Sequence, residues 1–358
     1  MPFFVLVMMI LSFGLIMVLS ASYASAYYKY DDSFHFVKTQ VFAAVVGLVI
    51  LAMCIVANYR WLRFVSVPLM LLSLILLVAV LFIGRTVGGA QRWIYIGPIN
   101  FQPSEIAKLA VIIFFSHCIA TYHRYMGKFT TGILPYMALL ALIALLLQRQ
   151  PHYSAIVLIM ALGMILVFVG GGSLPWLIGM GTAAAAALAY IIFLTPYAKG
   201  RVEMWLHPES DPLGSGYQTL QSLYAIGSGG LMGLGLGQSR QKYLYIPEPH
   251  NDYIFSIVCE ELGFIGAVLV MILFGLLIWR GFVIAFRAPD RFGCLLTVGI
   301  MSHIAIQFLL NIAVVTNSIP VTGMSLPFFS YGGTALMMQL AEMGIVLNVS
   351  RYSVKKDQ

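Results

Sequence analysis

The chain has 358 residues, 61% of them hydrophobic and 9% charged, with a mean hydropathy of +0.93 and a formal charge of +7. A soluble domain carries charge on roughly a quarter of its residues, so this composition excludes an ordinary globular protein and makes the bilayer the solvent. The positive balance does not point to nucleic acid, because the basic residues sit at the ends of apolar runs, where the positive-inside rule places them.

Apolar runs of helical length recur from end to end and predict an all-α, polytopic membrane bundle of about ten helices. The predicted cores are Phe3–Tyr23, Gln40–Ala57, Phe64–Ile83, Glu105–Tyr122 and Ile133–Leu147, then Ala155–Val169, Leu174–Leu194, Ile265–Ile284, Gly293–Val315 and Thr334–Val349. In hydrocarbon every backbone amide needs an internal partner, which leaves helices as the economical structure. Ser20–Ala26 resembles a signal-peptidase site, but with further spans behind it the first run reads as an uncleaved span. Cys54, Cys118, Cys259 and Cys294 lie far apart without a CxxC, which predicts packing residues rather than a metal site or disulfides.

Basic residues follow alternate spans: Arg60 and Arg63 after the second, Arg124 and Lys128 after the fourth. Arg280, Arg287 and Arg291 follow at the eighth, and Arg351, Lys355 and Lys356 close the chain. With an even number of spans these fall on one side, which predicts cytoplasmic termini, with Arg149 a minor exception. Two longer segments, 84–103 and 195–263, then lie outside. The second holds Glu203, Glu209, Asp211, Glu248, Asp252, Glu260 and Glu261, more than half of the chain's 13 acidic residues. A long loop so dense in polar groups is where chemistry is expected.

Glu105 and Lys108 share one helical face near the outer end of the fourth span. They read either as a structural ion pair or as charges of a functional, wet cavity. Arg92 is either an interfacial anchor or a planar fork for phosphate oxygens. Arg201, Arg240 and Lys242 are further basic candidates in the long loop, each also explained by a solvated surface. Asp252 precedes an apolar run and by itself reads first as a helix N-cap. Glu248 and His250 lie near it without metal-ligand spacing. The glycine-rich run 227–237, GSGGLMGLGLG, lacks the GK[ST] ending of a nucleotide-phosphate loop. Its glycines predict tight turns and close backbone approach near a re-entrant segment, with Tyr217–Ile226 as a short interfacial helix. His303, Gln307, Asn311 and Glu342 read as hydrogen-bond partners between late spans, Glu342 keeping functional interest because it is ionisable. Ser330 has no base partner and is not read as a nucleophile.

Four segments carry a resemblance. They are Gly89–Lys108 (GAQRWIYIGPINFQPSEIAK), Gly214–Gly237 (GSGYQTLQSLYAIGSGGLMGLGLG), Tyr245–Gly263 (YIPEPHNDYIFSIVCEELG) and Pro320–Thr334 (PVTGMSLPFFSYGGT). In this order, over nearly the whole chain, they resemble the shape, elongation, division and sporulation (SEDS) family of peptidoglycan glycosyltransferases. Asn317–Glu342 is more similar to the division branch, of the Firmicutes type, than to the elongation branch.

The resemblance implies one domain over 1–358 that polymerises lipid II into septal glycan and releases undecaprenyl diphosphate. It also implies a multi-pass protein of the bacterial cell membrane with an extracytoplasmic site. Asp252 aligns with the family's essential aspartate. On this reading it takes the proton from the 4-hydroxyl of an N-acetylglucosamine as that oxygen attacks the anomeric carbon of a lipid-linked muramyl sugar. A diphosphate leaves as a stable anion, so cations suffice where a glycosidase needs a second acid. Lys108 oriented by Glu105, together with Arg92, Arg201, Arg240, Lys242 and His250, is then expected to bind substrate. No resident cofactor or protein metal site is expected; a magnesium or manganese ion would arrive with the substrate diphosphate.

The implied partners are lipid II and the growing glycan strand, membrane lipid, a class B penicillin-binding protein supplying transpeptidation, and other divisome proteins, but no nucleic acid. One departure stands out. Many members read Gln-Pro-Asp-(Leu/Phe)-Gly-Thr where this chain has QPHYSA over 150–155, so His152 replaces the acid and its role does not transfer. Competing readings are a lipid II flippase, which would gather polar groups near the midplane, an elongation-type polymerase, and a division scaffold.

Overall fold

The computed structural model describes residues 2–87, 90–96, 99–194, 196–212, 214 and 216–353. In chain order these form α1 (Pro2–Tyr30), α2 (His35–Val56), α3 (Leu62–Ile83), β1 (Arg85–Val87), β2 (Ala90–Ile96), β3 (Ile99–Phe101), α4 (Pro103–Thr121), α5 (Leu134–Arg149) and α6 (Tyr153–Val169). Then follow α7 (Leu174–Leu194), α8 (Pro196–Leu206), α9 (Tyr217–Ser228), α10 (Ile254–Phe286), α11 (Arg291–Val315) and α12 (Gly333–Arg351). Seven helical stretches among the described residues are long and apolar enough to cross a membrane, and Tyr153–Val169 and Leu174–Ala187 are shorter apolar helices. With α12, buried along most of its length, they account for the predicted spans: the protein is an all-α, multi-pass membrane bundle.

Two features depart from the expected pattern. The segment read as a plain external loop carries an antiparallel ladder in the order β1-β2-β3, with Ile94 opposite Phe101 and Arg85 opposite Trp93. A further helical segment, 254–262, precedes the eighth span predicted from Ile265, and Gly263 separates the two within α10. Glu260 and Glu261 lower the apparent hydropathy of that first stretch, yet both are buried. The short helix predicted at 217–226 is present as α9.

The chain divides into two compact units, each discontinuous in sequence: 1–44, 184–277 and 305–332 in one, 45–183, 278–304 and 333 onward in the other. In the first, Phe274 stacks on Phe308 with ring centroids 4.4 Å apart and also meets Phe329, which receives the edge of Phe13 at 5.5 Å. In the second, Asn348 on α12 closes the end of α2, donating to the carbonyls of Ile55 and Ala57 and accepting from the Tyr59 amide. His303 on α11 bonds the Glu342 carboxylate on α12 at 2.9 Å. That contact is the interhelical pairing expected for both residues.

Candidate active site

The site in the first unit is built around a break in α10. Gly263 has φ 67° and ψ −166°, a conformation closed to other residues, and interrupts the helix. A broken helix exposes carbonyls on one side and amides on the other, which lipid cannot satisfy. The glycine-rich turn after α9 supplies the missing partners. Leu234 and Gly235 donate to the carbonyls of Glu260 and Glu261 at 2.9 Å each, while Phe264 and Ile265 donate to the carbonyls of Gly230 and Leu231. A Cβ on Gly233 would clash with the Glu261 carbonyl oxygen, so the two segments interlock only with glycine at this position. The close backbone approach predicted for this motif is therefore made against α10.

The side chains of the two glutamates fasten the same turn. Glu260 accepts from the Ser239 hydroxyl and the Arg240 amide. Glu261 accepts from Ser20 on α1 and pairs with Lys242 at 3.0 Å, the pair being almost wholly buried. The Lys242 ammonium also donates to the Gly237 carbonyl. Lys242 thus has a structural engagement that its sequence context did not reveal, and Arg240 projects from the same turn as an exposed side chain.

Asp252 stands just ahead of the first α10 segment. The helix begins at Ile254, one residue past the position a capping Asp would precede, and the carboxylate lies against its own main-chain N–H. The capping alternative therefore does not describe it. Asp252 is half-buried. Burial pushes its carboxyl up to about 6, against the opposing pull of its own N–H and of the Arg201 guanidinium, with Glu248 adding to the rise.

The loop after α11 forms the facing wall. Asn311 donates to the carbonyls of Asp252 and Met324 at 2.7 Å each. Arg201 on α8 donates to the Val321 carbonyl at 2.7 Å, and Trp205 and Asn317 exchange side-chain to main-chain hydrogen bonds one turn further along α8. Gln40 on α2 pairs with the Ser330 carbonyl and the Gly332 amide. Trp205 and Gln40 are not among the residues the sequence singles out, and Asn317 enters only as the start of a longer phrase; at the turn they build, Asn317 takes φ 55°, a conformation asparagine tolerates well.

His250 is buried between Phe36 and Tyr331, its ring 4.1 Å from the first, and its carbonyl accepts from the Tyr331 amide at 2.8 Å. Burial brings its imidazole down to about 4, with Glu248 opposing that and Lys29 adding to it, so it is neutral at physiological pH. It packs the turn that carries Asp252.

Three other predicted residues belong to the second unit. Pro103 opens α4, where its missing N–H costs nothing, and Glu105 lies in the first turn, where the helix dipole favours an acid. Lys108 pairs with Glu105 at 2.8 Å, with both side chains buried. The Arg92 guanidinium on β2 donates to the carbonyls of Gln150 and Pro151, at the turn where His152 replaces the family's acid. Among the described residues no three His, Cys, Asp or Glu side chains gather into a metal cage.

Comparison with known proteins places this arrangement. Residues 1–355 match the FtsW/RodA/SpoVE family, described as cell cycle proteins. The chain is 42% identical to stage V sporulation protein E of Bacillus subtilis (strain 168), covering 98% of this chain and 96% of that one. It is 40% identical to a probable peptidoglycan glycosyltransferase FtsW of Trichlorobacter lovleyi, with coverages of 96% and 91%. Among solved structures it matches a chain of a peptidoglycan synthase complex that coordinates polymerization and crosslinking, with TM-score 0.80, 31% identity and coverages of 98% and 97%. It also matches the rod shape determining protein RodA of Thermus thermophilus, with TM-score 0.74, 28% identity and coverages of 99% and 97%. The chain belongs to the FtsW/RodA/SpoVE family, the SEDS proteins.

Proposed function

We propose that this chain is a peptidoglycan glycosyltransferase that extends septal glycan from lipid II, with Asp252 as its base. The observation that carries the reading is the Asp252 carboxylate, held half-buried outside the spanning part of α10 and raised to about 6. A base works best when its pKa lies near the working pH, and this one is mostly ionised at neutrality while binding a proton more firmly than an ordinary aspartate.

In the proposed step the acceptor sugar's 4-hydroxyl oxygen attacks the anomeric carbon of the lipid-linked sugar. The new glycosidic bond forms as the bond to the diphosphate breaks, with inversion, and the hydroxyl proton passes to Asp252. Undecaprenyl diphosphate leaves with the electron pair. Arg201 is proposed to face the diphosphate, with Arg240 to assist. A divalent cation, where one takes part, comes with that diphosphate. The site is proposed to open on the extracytoplasmic side, at the division septum, beside a class B penicillin-binding protein that cross-links the product.

A flippase would keep its polar groups near the midplane, whereas the acid at issue here lies in the turn that precedes α10. Purified protein in liposomes with labelled lipid II separates the two readings. Polymerisation yields a ladder of glycan products; exposure of the headgroup on the opposite leaflet without polymer would reject the enzyme reading.

A further inference from the structure

Two side-chain amides on α11 reach into the loop that faces Asp252. Gln307 donates to the carbonyl and hydroxyl of Ser325 at 2.9 and 3.0 Å. Asn311, one helical turn on, donates through the same Nδ2 to the carbonyls of Asp252 and Met324. Because both partners are acceptors, the orientation of the Asn311 amide is fixed by chemistry. Its Oδ1 is buried and has no hydrogen-bond partner among the described residues, and the same holds for Oε1 of Gln307.

The unpartnered Oδ1 works against folding, while the two donations from Nδ2 satisfy carbonyls that an apolar side chain would leave without that donor. What asparagine supplies here is this link: Asn311 is wholly buried, and it joins the residue bearing the carboxylate to the loop that walls the site. A main-chain carbonyl gripped at 2.7 Å limits rotation at residue 252 and with it the direction of the side chain.

We propose that Asn311 is a positioning residue for glycosyl transfer, setting the place of the Asp252 carboxylate through that residue's own carbonyl. The inference rests on Asp252 being the base, as proposed above. Gln307 is its internal control, since it holds the same loop without touching Asp252.

The test compares Asn311→Ala and Gln307→Ala in the purified full chain, measuring kcat and KM for lipid II across pH. Misplacing a reacting group by about an ångström costs on the order of a hundredfold in rate. Asn311→Ala should lose about that much kcat with little change in KM. Its acid limb should also move to lower pH, because a loosened carboxylate gains water. The charged and titratable groups facing it, Arg201 of α8, Glu248 of the preceding turn and Tyr253, are unchanged in the variant. Gln307→Ala should keep the wild-type limb and most of its kcat. Unchanged kcat in Asn311→Ala, or equal losses in both variants with an unmoved limb, would overturn the proposal. Should Asn311→Ala fail to fold, Asn311→Ser, which keeps one donor, must show the same signs in lesser degree; full kcat with an unmoved limb would reject it. Full activity in Asp252→Asn would strike instead at the underlying reading.

Discussion

A Cβ built on Gly323 would lie 3.8 Å from Oδ2 of Asp252, at a loop residue whose φ is +69°. On that side the carboxylate faces a residue without a side chain, and any larger residue at 323 would stand against it. Gly323→Val adds both backbone strain and bulk in front of the acid. It is expected to lower glycan polymerisation by about tenfold to a hundredfold, read from product ladders at fixed lipid II. A wild-type rate would show that acceptors do not approach past this loop.

The raised Asp252 value fixes a pH dependence. Only the ionised carboxylate accepts a proton, so polymerisation should fall as pH drops through about 6. An ordinary aspartate would keep its rate down to about pH 4. His250, neutral down to about 4, adds no limb above that value. A rate profile flat from pH 7 to 5, with intact protein throughout, would contradict this assignment.

The same shift predicts an effect on stability. The folded state holds the Asp252 proton more tightly than the unfolded chain does, so the group favours folding below about 3.8. That contribution disappears as pH rises through about 6. At neutral pH the buried charge is a liability, and Asp252→Asn should be more stable by on the order of 1–3 kcal/mol. Thermal unfolding in detergent should show a higher midpoint for the variant at pH 7 and a shrinking difference towards pH 4.

Lys242 and Glu261 make a separate test of the interlocked turn. Removing one partner of a buried pair typically costs about 3–5 kcal/mol, whereas replacing both by uncharged residues costs much less. Lys242→Met should therefore lower the unfolding midpoint markedly, and Lys242→Met with Glu261→Gln should recover most of the loss. Equal midpoints for the single and double variants would mean that the pair is not what secures the turn.

The sequence made the spanning helices legible because lipid imposes a length and a polarity on them, and it drew attention to Asp252 because the residues around it form a long motif. It concealed whatever depends on distant partners. Glu260 and Glu261 counted against a helix at 254–262, since nothing nearby indicated that Ser239, Lys242 and Ser20 would satisfy them. Lys242 looked solvated for the same reason. The ladder over 85–101 lay hidden in a segment interrupted by glycine and proline. Gln307 and Asn311, expected to bond other helices, bond loop carbonyls instead. Hydropathy records that a residue is polar within a span but not which direction its partner lies.

The central claim is that the Asp252 carboxylate takes the acceptor's proton. The most direct measurement is lipid II polymerisation by purified Asp252→Asn beside wild type, with matched folding and, where the wild-type chain requires it, the transpeptidase partner present. The amide keeps the shape but loses the basicity, so no glycan ladder should appear although lipid II still binds. Glycan chains made at the wild-type rate would contradict the account.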